Sequence, residues 1–269
     1  MRRVAVISIA LLGGSWPAVA FTQEIAEGER IVTIHPADLR SGSDTRGTVP
    51  AGNVLDVKHV NGDWFWVSWT LHKTVKGWIS RSDVIPFSQA EDYFEEELKR
   101  NPQAADAYNT RGTLRIEKGD LDLAIEDFNQ AVRLNPKLAV AYDNRGLAWG
   151  RKKEYDKAIA DYNEAIRLDP KLVNAWNNRA WEEATAQEDR TRNGKKALAD
   201  ANKALELAGA EDDPTILTTL AAANAEAGDF VNAVKWQARA VELASSAAQK
   251  SDWLARLELY RNRQAYRDN

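Results

Sequence analysis

The segments ADAYNTRGTLRIEKGDLDLAIEDFNQAVRLNP (Ala105–Pro136) and AVAYDNRGLAWGRKKEYDKAIADYNEAIRLDP (Ala139–Pro170) align without a gap. Tyr108 falls on Tyr142, Gly112 on Gly146, Ala124 on Ala158, Phe128 on Tyr162 and Ala131 on Ala165, at a spacing of 34 residues. Apolar residues recur at helical spacing in each copy. Gly119-Asp120 marks a turn between the two helices of the first copy, and Pro136 and Pro170 end the second helices. Self-similarity at this period means stacked helix pairs, none of which can bury its apolar face alone. The small Gly112 and Gly146 are expected to face the small Ala124 and Ala158 and let the paired helices approach. Phe128 and Tyr162 are expected to fill the space between helix layers.

This period and these residue types resemble the tetratricopeptide repeat (TPR) family, which implies an all-α solenoid coiled into a right-handed superhelix. Two more repeats are divergent. One starts near Val173, with Trp176, Ala180, Ala197, Ala201 and Ala204. Its inter-helix region, around Gln187–Lys196, is longer than standard and carries an Asn193-Gly194 turn signal. The other starts near Pro214, with Leu217, Ala221, Gly228-Asp229, Ala233, Gln237 and Ala240. Ala90, Phe94 and Pro102 form a half repeat before the array, with Ser88 and Glu91 as a capping box. The array of a half repeat plus four repeats therefore spans 88–244. A final helix within 245–269, carrying Trp253, Leu254, Leu257 and Tyr260, covers the open end of the stack. Gly-Lys-Lys-Ala at 194–197 and Ala-Arg-Leu-Glu-Leu-Tyr at 255–260 resemble a bacterial TPR subgroup that occurs as C-terminal interaction modules.

Residues 24–87 have another character. Ile31–Ile34, Val54–Val57, Trp64–Trp69 and Trp78-Ile79 are β-branched and aromatic runs separated by turn clusters. Asn61-Gly62 is a hairpin signal, because both residues tolerate positive φ. Leu39-Arg40-Ser41-Gly42, Val49-Pro50-Ala51-Gly52, Asn61–Val67 and Gly77-Trp78-Ile79 resemble, in order and spacing, the bacterial SH3 (SH3b) domain. The resemblance implies a small all-β SH3-like barrel with Phe65, Val67 and Trp69 facing its core. Trp64 and Trp66 then lie on the outer face, where Trp64 follows Asp63 as the ligand-contacting tryptophan does in SH3 domains. The other reading is that these indoles cover loops or helices. Ser80 and Asp83 stand where polyproline-reading SH3 domains carry Pro and Tyr, so the aromatic slots for prolines are incomplete.

Arg2-Arg3, the apolar run Val4–Leu12 and Ala18-Val19-Ala20 read as a signal peptide, residues 1–20, cut before Phe21. The run is shorter than the roughly 20 residues of a membrane helix. A periplasmic or secreted protein is expected, with no membrane span in its mature form. The chain has 269 residues, no cysteine and a formal net charge of −4. Disulfides and zinc–cysteine sites are excluded, and no basic stripe points to nucleic acid. His35, His59 and His72 have no metal-binding spacing, and no nucleophile elbow, P-loop or dinucleotide fingerprint occurs. No catalytic residue, metal or cofactor is expected, and Glu95-Glu96-Glu97 and Glu182-Glu183 read as solvated or ion-paired faces.

The TPR resemblance places a peptide-binding groove on fixed positions of each first helix. These are Asp106, Asn109 and Thr113, then Asp143, Leu147 and Arg151, then Asn174, Asn177 and Trp181. Amides that both donate and accept suit an extended backbone. Two aspartates and a single cation disfavour an anionic ligand. Trp181 either anchors the ligand or packs on the Gln187–Lys196 segment. One correlation between repeats points to structural ion pairs. Arg111, Arg145 and Arg179 replace the usual apolar residue before the helix glycine, and Asp127, Asp161 and Asp200 occupy the matching second-helix position. In the last repeat both change together, to Leu220 and Trp236. Pairing within each repeat is expected; pairing between neighbouring repeats and simple solvation are the alternatives. The chain thus reads as an exported protein–protein interaction module or scaffold, not an enzyme. It would bind a protein or peptide segment in the groove, with a second contact surface on the barrel. The alternative is peptidoglycan recognition through the SH3-like domain.

Overall fold

The structure, a computed structural model, describes residues 25–70, 74–209 and 212–268. The leader at 1–20 and His72 lie outside the described residues. Two compact units are present, one running to Ser68 and taking in Lys76–Gln89, the other comprising Trp69–Val75 and the chain from Ala90.

The first unit is an antiparallel sheet of seven strands. These are β1 (Arg30–Thr33), β2 (Ala37–Ser41), β3 (Asp44–Val49), β4 (Val54–Asn61), β5 (Trp64–Thr70), β6 (Thr74–Ser80) and β7 (Val84–Pro86), in the order β3-β2-β6-β5-β4-β1-β7. β3 and β7 stand at the two edges, so the sheet is open and not the closed barrel that the SH3 resemblance implied. The alternation of β5 puts Phe65 and Val67 in the core, where they are fully buried beside Ile31, Leu39, Val57 and Ile79. Trp64, Trp66 and Trp69 are half-buried. The β4–β5 hairpin closes on Gly62-Asp63, with Asn61 paired to Trp64 as the last strand residue. Gly62 has φ 58°, the left-handed conformation that such a two-residue loop requires.

The second unit takes in α1 (Phe87–Arg100) from Ala90 onward. Four helix pairs come next: α2 (Ala105–Lys118) with α3 (Leu121–Leu134), α4 (Ala139–Arg151) with α5 (Tyr155–Leu168), α6 (Val173–Thr185) with α7 (Gly194–Ala208), and α8 (Pro214–Glu226) with α9 (Phe230–Glu242). α10 (Ala247–Arg261) packs on α9. Ser88 lies inside the first turn of α1, and the Glu91 carboxylate meets Arg115 Nε at 2.9 Å and Lys118 rather than capping the helix. Asn193-Gly194 opens α7 instead of making a turn: the Asn193 side chain caps the helix by accepting from Lys196 N–H at 3.1 Å. Gly194 is glycine because a Cβ there would stand 2.5 Å from the backbone nitrogen of Ala227.

The helices of a pair approach through an exchange of volume. A Cβ on Gly112 would meet the Phe128 ring at 2.7 Å, and one on Gly146 the Tyr162 ring at 2.6 Å. The nearest neighbour of each glycine is thus the buried aromatic ring of the second helix. In the third pair the two positions become Ala180 and Ala201, both fully buried, so a methyl on the first helix goes with loss of the ring on the second. Gly146→Ala gains up to about 1 kcal/mol of helix propensity but drives a methyl into a ring fixed in the core. A net loss of about 1–3 kcal/mol is expected, measured by urea denaturation. The double variant Gly146→Ala/Tyr162→Ala should recover part of the overpacking cost, as the third pair does.

Candidate functional site

In each of the first three pairs an arginine of the first helix makes a two-pronged bond with an aspartate of the second. Arg111 donates to Asp127 from Nε at 2.9 Å and Nη2 at 2.7 Å. Arg145 donates to Asp161 at 2.8 and 2.6 Å, and Arg179 to Asp200 at 2.7 and 2.9 Å. The planar guanidinium fork matches a carboxylate edge, which is why arginine serves here. The bond from Asp161 holds Arg145 above the usual guanidinium range, against the opposing effect of burial. An aromatic residue one turn earlier faces each cation: Tyr108, Tyr142 and Trp176 lie 5.7, 5.4 and 5.0 Å from it. The remaining guanidinium nitrogen bridges to the preceding pair, Arg145 to Asn129 at 2.8 Å and Arg179 to Asn163 at 2.6 Å. Both asparagines recur at the repeat spacing, a signal the sequence held but the sequence reading passed over.

The residues assigned to the groove do not form one exposed strip. Asn144 Nδ2 donates to Asn109 Oδ1 at 3.0 Å, and Asn178 Nδ2 donates to Asp143 Oδ1 at 3.0 Å, so these positions tie α2 to α4 and α4 to α6. Asp143 is buried, and desolvation pushes its carboxyl from 3.8 up to about 7. It is therefore not a surface acid facing a ligand. Asn177, the next in this series, is buried with Oδ1 unpartnered. Thr113 bonds back to Asn109 O at 3.0 Å, and Leu147 packs against Ile116, Ala124 and Phe128. Asp106, Arg151 and Asn174 are exposed, with Arg151 reaching Ile116 O at 3.1 Å. A cleft of about 430 Å³ lies elsewhere, around Arg111, Arg115 and Asp127, whose charges satisfy one another.

Trp181 is met by residues that follow α10. Its indole N–H donates to Asp268 Oδ2 at 3.0 Å, and Tyr266 stacks at a tilt with ring centres 5.9 Å apart. Glu182 and Glu183 are buried, not solvated. Burial first and the nearby Asp268 second push the Glu182 carboxyl up to about 7. Glu183 pairs with Lys196. Among the described residues no group of three or more His, Asp or Glu could hold a metal, and no helix is long and apolar enough to cross a membrane.

In the sheet unit, Trp66 meets Trp78 edge-on at 5.3 Å, and the Arg40 guanidinium stands 5.8 Å from the Trp64 ring. His35 lies 3.5 Å from Asp83 and His59 3.3 Å from Glu27, each with an exposed side chain.

Stacked helix pairs with this internal spacing define a helical-repeat protein. Family models for the tetratricopeptide repeat match residues 87–139 and 139–172, and the chain carries TPR repeats. The fold is shared with TTC0263, a TPR protein of Thermus thermophilus, at 24% identity and TM-score 0.50 over 65% of this chain and 91% of that one. PilW, a type IV pilus biogenesis factor, is similar at 19% identity and TM-score 0.51 over 60% and 71%. A chain of the APC/C hetero-tetramer Cut9-Hcn1 is similar at 18% and 0.57, over 65% of this chain and 34% of its own length. No curated protein matches the chain. TPR proteins are generally protein–protein interaction scaffolds and typically not enzymes.

Two outcomes follow from the geometry. Removing one partner of the Arg145–Asp161 pair strands a half-buried charge, so each single alanine variant should lose about 2–4 kcal/mol. A double-mutant cycle should return a coupling of at least about 1 kcal/mol; additivity would mean that the contact carries no energy. Asp143 gives a pH dependence. Its folded pKa is raised, so its contribution is fully present below the ordinary carboxylate range and is lost as pH rises through about 7. Asparagine occupies the equivalent positions 109 and 177. Asp143→Asn should therefore leave stability near pH 4 almost unchanged and add on the order of 1–3 kcal/mol at pH 8. Equal effects at both pH values, in thermal melts, would refute the assignment.

Proposed function

We propose that the chain is an exported interaction scaffold that holds an extended protein segment on the face of its first helices. The observation that carries this reading is the seating of residues 266–268 on α6. There the indole of Trp181 donates to the Asp268 carboxylate and the carbonyl of Thr185 accepts the Asp268 backbone N–H, a side-chain and a main-chain contact of the kinds a bound peptide would make. Asn174, Asn177 and Trp181 share that side of the helix, since residues seven apart stack on one face. Export is read from the leader at 1–20. The sheet unit is read as an SH3-like module, supported by its four ordered sequence blocks, with Trp64 and Trp66 as a second contact surface. Two modest sites on one chain would reinforce each other through effective concentration.

The test is made in the native host with a photocrosslinking residue at exposed Asn174. A second strain carries it at Val231, a residue 82% exposed on the second helix α9. Position 174 should give a discrete adduct in the envelope fraction, on a chain that begins at Phe21, and position 231 should not. Adducts from both positions alike, or from neither, would overturn the reading of the face. An intact Arg2-Arg3 end on the recovered chain would overturn export.

A further inference from the structure

Beyond α10 the chain reverses. Arg263 takes a left-handed φ of 57°, and Gln264 N–H bonds back to Leu259 O at 2.9 Å. Residues 264–268 have no regular structure and run onto α6. Each of the last three makes a different kind of contact. Tyr266 enters an aromatic slot in which the Arg256 guanidinium faces both its ring, at 4.4 Å, and Trp181, at 5.1 Å. Arg267 reaches Glu226 Oε2 at 2.8 Å, and Arg192 holds the other oxygen of that carboxylate at 3.1 Å. Asp268 donates its N–H to Thr185 O at 3.0 Å and accepts the Trp181 indole proton.

Thr185 closes α6, and the last carbonyls of a helix lack partners within it. An extended chain that brings an N–H there satisfies one of them. Glu226 is also held by Arg192, which lies outside the segment. Together the three contacts read an aromatic residue, then a cation, then an acid on successive positions. The segment is also an imperfect occupant, because the Asp268 carboxylate stands near the buried Glu182 carboxyl, like beside like. Its advantage is tethering, since a short tether gives an effective concentration on the order of millimolar. A segment of another protein with further contacts along α6, where Asn174 is exposed, could displace it.

We propose that residues 264–268 are a built-in competitor at the α6 end of the binding face. The partner they hold off is a protein segment in which an aromatic residue is followed directly by a basic and an acidic one. The proposal rests on the reading of that face as a peptide site and adds its regulation and its ligand pattern.

The test uses the full chain and a fluorescein-labelled peptide of residues 262–268, followed by anisotropy. The released variant Tyr266→Ser/Arg267→Glu/Asp268→Lys should bind this probe at least about tenfold more tightly than the wild type, and adding Trp181→Ala should abolish binding. Equal binding by the wild type and the released variant would overturn the proposal. A displayed library of extended peptides separates this failure from that of the function. Selected peptides that need Trp181 but lack the aromatic–basic–acidic pattern would sink the proposal and leave the peptide face standing. No selection at all by a released variant with an unchanged melting transition would sink both. A measurement on the wild type covers a variant that fails to fold. The Asp268 amide should be protected from hydrogen exchange, and saturating probe peptide should remove that protection. Protection that persists at saturation would overturn displacement.

Discussion

A guanidinium lies flat against a carboxylate between the two helices of each of the first three pairs, and the rest of the array is arranged around that contact. Either group alone would be a costly charge there, because a buried ion without a partner costs several kcal/mol. Each pair therefore constrains its surroundings. The aromatic one turn before each arginine faces the cation, at 5.0–5.7 Å across the three pairs. Asn129 and Asn163 accept the nitrogen left over and carry the contact into the next pair. In the first pair Asp127 takes Arg115 as well, which in turn reaches Glu91 of α1. The half repeat is thereby joined to the array by charge as well as by packing.

This network stops at the fourth pair, and the structure changes character there. Leu220 and Trp236 replace the ion pair. Asn202, the counterpart of Asn129 and Asn163, finds no arginine and bonds to Leu198 O of its own helix at 2.7 Å. Thr219 stands where Asn144 and Asn178 supply an amide, and its hydroxyl turns to Thr215 O at 3.2 Å. Asn177 is left with a buried, unpartnered oxygen. In place of polar cross-links α8 has an unbroken buried run from Ile216 to Ala225. A helix buried on every side must be covered on every side. α6, α7 and α9 pack against it, while Trp253 and Leu257 of α10 complete the core of which it is the centre.

α10 thus does more than cap the stack. By ending where it does, it returns the chain, with Tyr266, Arg267 and Asp268, towards α6. The buried acids gather at the same end of α6. Glu182 fits so closely against α4 that a Cβ on Gly150 would meet its Oε1. The face of the first helices is consequently not uniform. Its α2 and α4 portions are largely committed to holding the repeats together, and its α6 portion presents Trp181 and the Thr185 carbonyl to Asp268.

The 34-residue period, the helix pairs, the Arg–Asp partners and four of the seven strands of the sheet unit were legible in the sequence, because each leaves a periodic or locally repeated trace. A repeat protein places equivalent residues in equivalent surroundings, so two residues that change together between copies reveal contact within one chain. The same logic could have found Asn129 with Asn163 and Asn144 with Asn178. Volume exchange was harder to read. Gly146 against Tyr162 and Gly194 against the end of α8 depend on which ring or backbone a helix meets, and that is set by packing angle. Burial could not be read at all for Asp143, Glu182 and Glu183, whose residue types look solvated until neighbouring helices close over them. The contact of Asp268 with Trp181 lies furthest from the sequence. It joins residues 87 apart in the chain, occurs once and follows no period. The sequence by itself determined the repeated architecture and its internal ion pairs, since those are fixed by local pattern. Only the tertiary structure decided what lies against the end of α6, because that depends on where α10 points.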